Sequence, residues 1–413
     1  MKKFESVVLF ILLLFATGAG QAFIVDRGAS DSGGEPLIQA LFGFLYLLVI
    51  LFTIKHRSAA LKLILTERWL AALCIWALMS VAWSVEPGES LRRALALIGT
   101  TLAGLYIASR YEPREQLKAM AWVLGLGAIA SAAVIVAVSS VGITQDGMQG
   151  IYNLKNSLGR VMSLGAFCFA LLALSERRHR MVRILMFLLC FTLLILSKSA
   201  TAVVVTMLMF ALLPLRKLLY LRPRQLLAAT AILLPLMAAA AFWIVESSED
   251  ILQAMGRNPS LSGRIPLWQL VLKEIAERPI RGYGFTAFWN SWAGERVSDT
   301  VKWDYAVPHA HNGFLEVWLG LGFVGLALIL INLSRSFILA LRAARNHREI
   351  EYSWPLLLVL FTVLYNLTEN SLLAVNAIPW IAYCAANYWL AGTAREEALE
   401  PESQPEAEPA YSA

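Results

Sequence analysis

Repeated apolar runs, separated by short charged clusters, constrain this chain more than any other feature. The chain is 58% hydrophobic and 15% charged, with a mean hydropathy of +0.62, which lies outside the range of soluble domains. Runs of this length and polarity suit bilayer crossings, so the sequence predicts an all-α integral membrane protein. We count twelve candidate spans, at residues 4–24, 37–54, 69–83, 93–110, 118–142, 158–174, 181–197, 200–214, 226–246, 313–333, 354–372 and 374–391.

The spans divide the chain into four parts. Residues 1–246 carry spans one to nine, residues 247–312 form a polar loop, and residues 313–391 carry the last three spans. Residues 392–413 are rich in glutamate and proline and have no apolar periodicity, which predicts a disordered tail. The first run resembles a secretory signal peptide, but we interpret it as an uncleaved span because the topology needs it.

The charged residues indicate an orientation. If the N-terminus is cytoplasmic, most of the 35 Lys and Arg residues lie in cytoplasmic segments, as the positive-inside rule requires. We therefore expect both termini in the cytoplasm of a bacterial inner membrane and the 247–312 loop in the periplasm. Because the basic residues lie at span ends, the net charge of +6 does not indicate a nucleic-acid partner.

In this orientation the unusual polar segments all reach the outer face. Ionisable groups at membrane depth are costly and usually functional, so their convergence predicts a single polar site there. The segments are 150–160, 197–201, 262–264, 309–312 and 365–370.

Each basic residue in these segments has a functional and an ordinary interpretation. Lys155 and Arg160 either face the site or snorkel to the membrane interface, and Lys198 either faces it or is a solvated loop charge. Arg264 precedes a predicted amphipathic helix, residues 266–278, that ends before Pro279 and suits the membrane interface. This arginine is either a site residue or a surface charge.

Two histidines and one glutamate add acid–base candidates. His309 and His311 are a poor metal pair without nearby carboxylate or thiolate ligands, and the four cysteines all lie in apolar runs, so we expect no metal or other cofactor. Imidazole titrates near neutrality, which favours proton transfer by one histidine, with an anchoring role as the alternative. Glu369 suits either the site or helix packing.

Together these residues suit an anionic lipid head group such as a pyrophosphate. Arginine offers a bidentate fork, and charge neutralisation allows a pyrophosphate to leave without a metal ion. A histidine is able to remove a proton from an attacking hydroxyl. Aromatic side chains suited to stacking on sugars, or to anchoring at the interface, are Trp268, Tyr283, Phe285, Phe288, Trp289, Trp292, Trp303 and Tyr305.

Several short motifs together resemble those of one protein superfamily. They are Ala82-Trp83-Ser84 with Pro87, Lys155-Asn156-Ser157-Leu158-Gly159, Ser197-Lys198-Ser199-Ala200-Thr201, Ser262-Gly263-Arg264 with Leu267-Trp268, Pro279 with Gly282-Tyr283-Gly284-Phe285, and His309-Ala310-His311-Asn312-Gly313-Phe314-Leu315-Glu316 with Gly322 and Gly325. In this combination the chain resembles the superfamily of O-antigen ligases and Wzy-type O-antigen and exopolysaccharide polymerases.

The resemblance implies a GT-C-like membrane glycosyltransferase. Such enzymes move an undecaprenyl-pyrophosphate-linked glycan to an acceptor sugar or a lipid A core, without metal and with inversion. It implies that Arg264 holds the pyrophosphate and that His311 activates the acceptor. Flippase and chain-length regulator proteins are the implied partners. The implied substrate-binding residues are Lys155, Asn156, Arg160, Lys198, His309, Asn312 and Glu369.

Two other classes of function remain open. A twelve-span chain also suits a secondary transporter or a flippase of envelope precursors, although carriers usually show repeats and broken helices that the sequence does not reveal. A non-catalytic role in envelope assembly is the third interpretation.

Overall fold

The computed structural model describes residues 2–20, 23, 36–145, 147–220, 225, 264–301 and 307–399. These residues are mostly helical, with one short antiparallel pair, β1 (Ile143–Thr144) and β2 (Gly147–Met148). The helices are α1 (Lys2–Ala16), α2 (Pro36–Lys55), α3 (Arg57–Thr66), α4 (Arg68–Met79), α5 (Pro87–Arg110), α6 (Pro113–Ala137), α7 (Ser139–Gly142), α8 (Lys155–Ser175), α9 (Arg180–Leu196), α10 (Ala200–Leu212), α11 (Arg264–Glu277), α12 (Trp292–Val301), α13 (Gly313–Asn346), α14 (Trp354–Tyr365) and α15 (Ile378–Leu399).

The predicted membrane protein is supported, but the count of twelve spans is not confirmed. Within the described residues five helices are long and apolar enough to cross a bilayer, namely α2, α5, α6, α8 and α13. The bent pair α3 and α4 makes a sixth if it counts as one span. Predicted span nine, residues 226–246, lies outside the described residues.

Helix α15 lies at the centre of the helical assembly. Residues 378–391 are buried without interruption. It packs closely on α5, where a Cβ at Gly104 would lie 2.4 Å from the Cβ of Cys384. Small residues of this kind allow membrane helices to approach each other closely.

The junction of α3 and α4 is bent by 86° at Glu67. Residues 55–68 lie between two predicted spans, and the structure has helix α3 there. Glu67 is fully buried and accepts hydrogen bonds from Asn332 Nδ2 (2.9 Å) and from Arg335, both on α13. A buried carboxylate needs such partners, so this pair fixes the bend against α13.

Helix α13 is broken at Gly322, where φ is +67°. This corrects the expectation that the chain has no broken helix. The loop at 279–285 fills the break. Its backbone bonds run from Tyr283 N to Leu319 O (2.9 Å), from Gly284 N to Gly320 O (2.9 Å) and from Phe323 N to Pro279 O (2.8 Å). The indole of Trp76 donates to the carbonyl of Leu321 (2.9 Å), so the groups exposed by the break are paired.

Residues 80–85, which include the Ala82-Trp83-Ser84 motif, also bind the loop at 279–285. The indole of Trp83 donates to Arg281 O (3.0 Å), and the amide of Val85 donates to Tyr283 O (3.0 Å). The hydroxyl of Ser80 accepts from the amide of Phe285 (3.0 Å). We call residues 80–85, 279–285 and 319–323 the glycine joint. Two of the motifs that carry the family resemblance, and Gly322 of a third, are therefore part of this joint.

The apolar face of α11 packs on protein, which corrects the interfacial interpretation of this helix. Leu267, Val271 and Ile275 are buried in a small core with side chains of α12 and of the loops on either side of it. The helix begins at Arg264 and ends at Glu277, close to the predicted range of 266–278. Because its face is covered, α11 holds Arg264 in a fixed position.

We expect Gly322→Ala to destabilise the fold. A Cβ at this position would lie 2.1 Å from the carbonyl oxygen of Ile280, and its φ of +67° is strained for alanine. The cost should be about 1–3 kcal/mol, measured as a lower midpoint of thermal unfolding in detergent. Gly43→Ala is the matched control, because nothing lies within 4 Å of its added Cβ. Equal midpoints for the two variants would contradict the assigned role of the joint.

Candidate active site

Three of the predicted polar segments meet at the carboxylate of Glu369. Its Oε1 accepts from Arg264 Nη2 at 2.7 Å and from Asn156 Nδ2 at 3.2 Å. Its Oε2 lies 3.8 Å from Nδ1 of His311. We call these four residues the Glu369 cluster. The predicted convergence of distant segments is thus seen directly in side-chain contacts.

The four residues come from separate elements. Asn156 lies in the first turn of α8, and Arg264 lies at the start of α11. His311 belongs to the loop that enters α13, and Glu369 to the loop that leaves α14. The cluster therefore depends on how two loops are held against two helix starts.

Asn366 ties the Glu369 loop to α13. It is fully buried, and its Oδ1 accepts from the amides of Ser371 (2.7 Å) and Leu372 (2.9 Å). Its own carbonyl accepts from the amide of Gly313 (2.9 Å). Gly313 has to be glycine here, because a Cβ would lie 2.2 Å from Asn366 Oδ1.

The histidine loop is held from both sides at Ala310. The amide of Ala310 donates to Glu316 Oε2 (2.8 Å), and its carbonyl accepts from the indole of Trp268 (2.8 Å). On either side, the rings of His309 and His311 pack with centroids 4.2 Å apart. The amide of His311 donates to Nδ1 of His309 (3.2 Å), and His311 has a φ of +49°.

The electrostatics of the site favour one anion at Glu369 and a neutral His309. Burial raises the pKa of the Glu369 carboxyl, but His311 and the charge of Arg264 outweigh this and lower it overall. Burial lowers the pKa of His309 to about 3, and His311, Arg160 and Arg264 act in the same direction. His309 is thus uncharged at neutral pH.

A second guanidinium reaches the site from α8. Arg160 acts electrostatically on His309, as Arg264 does. Its Nε is buried and has no hydrogen-bond partner in the described part of the chain. Two guanidinium groups therefore act on the same histidine, and one of them keeps an unsatisfied donor. That arrangement is suited to an anion that completes the set.

The remaining predicted residues lie around this centre. Lys155 is half-buried beside Asn156, and Lys198 is exposed in a turn with a φ of +53°. That turn approaches the Glu369 loop, because Thr201 Oγ1 lies 3.0 Å from Thr368 Oγ1.

Asn312 has a structural role. Its Oδ1 caps α13 by accepting from the amides of Phe314 (3.0 Å) and Leu315 (3.1 Å), while its Nδ2 donates to Leu367 O (3.0 Å). Asn312 thus caps α13 and ties it to the loop after α14, and its substrate contact stays a prediction.

Most of the loop aromatics are not placed to stack on sugars. Tyr283, Phe285 and Phe288 are buried within the loop, and the indoles of Trp268 and Trp289 donate to protein acceptors. Trp292 is 57% exposed, and the guanidinium of Arg296 lies over its ring, 5.1 Å from the centroid. Trp303 and Tyr305 lie outside the described residues.

Sequence reasoning missed Asn366 and the clamping role of Glu316. Glu316 stood at the end of the histidine motif, but a helical glutamate gives no sign that it accepts a backbone amide from the preceding loop. Asn366 lies in the same polar segment as Glu369, and only its burial in the structure distinguishes it from its neighbours in that segment.

The chain is similar in sequence to known proteins. Residues 185–330 match the family model described as O-antigen ligase. The chain is 30% identical over 289 residues to the "Exopolysaccharide production protein ExoQ" of Rhizobium meliloti (strain 1021), covering 65% of this chain and 64% of that protein. The match thus spans just under two thirds of the length of ExoQ.

Rickettsial proteins are also similar. A "Putative polysaccharide ligase" of Rickettsia felis is 24% identical over 341 residues, covering 79% of this chain and 77% of that protein. The "Putative polysaccharide ligase RC0486" of Rickettsia conorii is 34% identical over 79 residues, which is 18% of this chain and 19% of that protein. The resemblance to the O-antigen ligase superfamily is confirmed by these matches.

We expect His309 to make the stability of the protein sensitive to acid. With a folded pKa of about 3 and an unfolded pKa near 6.5, the unfolded chain alone binds the proton between these values. The free energy of unfolding should therefore fall as pH drops from about 6.5 towards 3, and His309→Asn should remove the contribution of His309 to this fall. The pH dependence is measured by thermal unfolding between pH 7.5 and 4.5. The exposed His179→Asn is the control, and identical slopes for the two variants would contradict the lowered pKa of His309.

Proposed function

We propose that this member of the O-antigen ligase superfamily transfers a glycan from an undecaprenyl-pyrophosphate carrier to a sugar hydroxyl. The acceptor is either a growing glycan, in a polymerase, or a lipid A core, in a ligase. One observation carries the proposal: Arg264 and an imidazole, His311, meet on the same buried carboxylate, at 2.7 Å and 3.8 Å.

The names of the similar proteins support this class of substrate. ExoQ is named for exopolysaccharide production, and the rickettsial proteins are named polysaccharide ligases. The family match includes Arg264, His309 and His311, but Arg160 and Glu369 lie outside residues 185–330. The proposed site therefore combines family-matched residues with residues of the surrounding helices.

The arginines act on the donor. Arg264 and Arg160 bind the diphosphate through charge-assisted hydrogen bonds and neutralise the charge that develops as it leaves. Lys155 and Lys198 lie further out, where they add positive charge along the approach of an anionic lipid. Because these cations supply the neutralisation, the proposed reaction needs no metal ion.

The histidine acts on the acceptor. His311 removes the proton of the acceptor hydroxyl while its oxygen attacks the anomeric carbon. The bond between that carbon and the diphosphate oxygen breaks, and the electron pair leaves with undecaprenyl pyrophosphate. Attack from the opposite side inverts the anomeric carbon, and the proton remains on His311 until it passes to solvent. Neutral His309 packs against the base and adds no competing charge.

The proposed setting is the bacterial inner membrane, with both termini cytoplasmic and the site periplasmic. The positive-inside pattern supports this orientation, and the membrane-capable helices support the location. A flippase that delivers the donor and a chain-length regulator are the proposed partners.

We expect the purified protein to lengthen an undecaprenyl-pyrophosphate oligosaccharide or to move it to a lipid A core, in a buffer containing EDTA. Arg264→Ala should lower the rate by about 10²–10³ and His311→Ala by about 10²–10⁴. Lys273→Gln, an exposed charge on the same helix as Arg264, should keep the wild-type rate. Gel analysis of the product identifies the acceptor, and full activity in either alanine variant would contradict the assigned roles.

We expect cysteines at position 198 and position 290 to react with an impermeant maleimide from the periplasmic side in spheroplasts. Both residues are exposed, one in the turn after α9 and the other in the 264–301 segment. Arg177→Cys, before the start of α9, should react only after lysis. The native cysteines are first replaced. Labelling of Lys198→Cys and Asn290→Cys from opposite sides would contradict a single periplasmic site.

A further inference from the structure

His311 has a left-handed backbone conformation, with a φ of +49°. A residue with a side chain rarely adopts this conformation, because its Cβ then crowds the following carbonyl oxygen. Such a conformation persists only where surrounding contacts hold the backbone in place. The contacts that hold it here involve the preceding residue, Ala310.

Both peptide groups that precede His311 are hydrogen-bonded. Ala310 is fully buried, its amide donates to Glu316 Oε2 (2.8 Å), and its carbonyl accepts from the indole of Trp268 (2.8 Å). The amide of His311 donates to Nδ1 of His309 (3.2 Å). These bonds fix the two peptide planes that enter His311, while the start of α13 fixes the chain that follows it. A change in the φ of His311 therefore requires one of these contacts to break.

Glu316 is well suited to hold an amide. It lies in the first turn of α13, where the partial positive charge of the helix start favours a carboxylate. The indole of Trp289 donates to both of its oxygens, at 2.9 Å and 3.0 Å, so the carboxylate is itself held in place. A hydrogen bond from an amide to an ionised carboxylate is stronger than one between neutral groups. Glu316 therefore holds Ala310 more firmly than a neutral side chain would.

The backbone conformation of His311 decides where its imidazole lies. In the left-handed conformation its Nδ1 is 3.8 Å from Glu369 Oε2, and His311 lowers the pKa of the Glu369 carboxyl. A change to the extended region would turn the side chain in another direction and move the ring away from this contact. Trp268 lies one turn after Arg264 on α11, so the same helix holds the arginine and the peptide group ahead of the histidine.

We propose that Glu316 and Trp268 are positioning residues that hold His311 in its left-handed conformation and so place the proposed base against Glu369. The inference rests on the proposed function and deepens it, because it names the groups that set the geometry of the base. Neither side chain takes part in the transfer itself, since both act through the peptide groups of Ala310. The strain at His311 makes them necessary, because an unheld residue relaxes to an ordinary conformation.

The first test measures the backbone conformation without activity. Glycine adopts a positive φ freely and alanine does not, so His311→Gly should unfold at a higher temperature in detergent than His311→Ala. In the Glu316→Gln background this difference should shrink, because residue 311 is then free to leave the left-handed region. A difference of the same size in both backgrounds, or no difference in the wild-type background, would overturn the inference.

The second test separates the rate of transfer from donor binding. Glu316→Gln replaces two charged acceptor oxygens by one neutral carbonyl oxygen, so the amide of Ala310 and the indole of Trp289 compete for it. With an undecaprenyl-pyrophosphate oligosaccharide as donor, kcat should fall about 10–100-fold while the donor KM stays unchanged, because Arg264 keeps its contacts. Trp268→Phe keeps an aromatic ring but loses the indole donor, and it should act in the same way.

The controls make the result specific. Glu295→Gln, at an exposed glutamate on α12, should keep the wild-type kcat and KM. Trp268→Phe replaces Glu316→Gln in both tests if Glu316→Gln does not fold. A wild-type kcat in Glu316→Gln, or a raised donor KM with kcat unchanged, means that the inference is wrong while the proposed function stands. A wild-type protein that transfers no glycan overturns the proposed function, and the unfolding comparison at position 311 then still decides whether Glu316 holds a strained residue.

Discussion

The break in α13 at Gly322 is the constraint on which the rest of the site depends. A helix that stops and restarts exposes carbonyl and amide groups that must find partners, and here the backbone of residues 279–284 supplies them. These hydrogen bonds attach the segment after α11 to α13, the helix that follows the histidines. Arg264 precedes the bonded segment in the chain, and His311 follows it. Their positions relative to each other are therefore set by backbone hydrogen bonds remote from both.

The Glu369 cluster holds charged side chains in a buried position, where the loss of hydration is unfavourable. Removing an ion from water costs several kcal/mol unless hydrogen-bonding or charged partners in the protein replace the water. Apolar side chains of equal volume in the same place are often as stable as a buried ion pair. The buried carboxylate of Glu369, paired with Arg264 and His311, is thus a poor choice for stability alone. Perturbed titration of the kind seen at His309 and Glu369 gathers at functional sites for this reason. The chemistry of an anionic donor explains why the groups are present.

The broken helix bears on the transporter alternative. Carriers use interrupted helices to expose carbonyls and helix ends to ions near the middle of the membrane. In this chain the carbonyls of Leu319, Gly320 and Leu321 accept from two loop amides and one indole. Because these carbonyls already accept hydrogen bonds from the protein, they do not suit an ion site of the kind that carriers use. The polar residues gather instead at the start of α8, beyond α14 and ahead of α13, which suits a site at one face.

The sequence alone determined the class of the protein and the segments of its site, because hydrophobic length and charge placement are local properties. Arg264, His311 and Glu369 were identified in these segments, whereas Asn156 was named only through the family resemblance. Tertiary structure alone decided that they share one carboxylate, that Asn312 caps a helix, and that the glycine and tryptophan motifs build a joint. Partners in these contacts come from distant parts of the chain, and Asn156 and Glu369, for example, are 213 residues apart. Burial and backbone pairing depend on such neighbours, and no local pattern of residues encodes them.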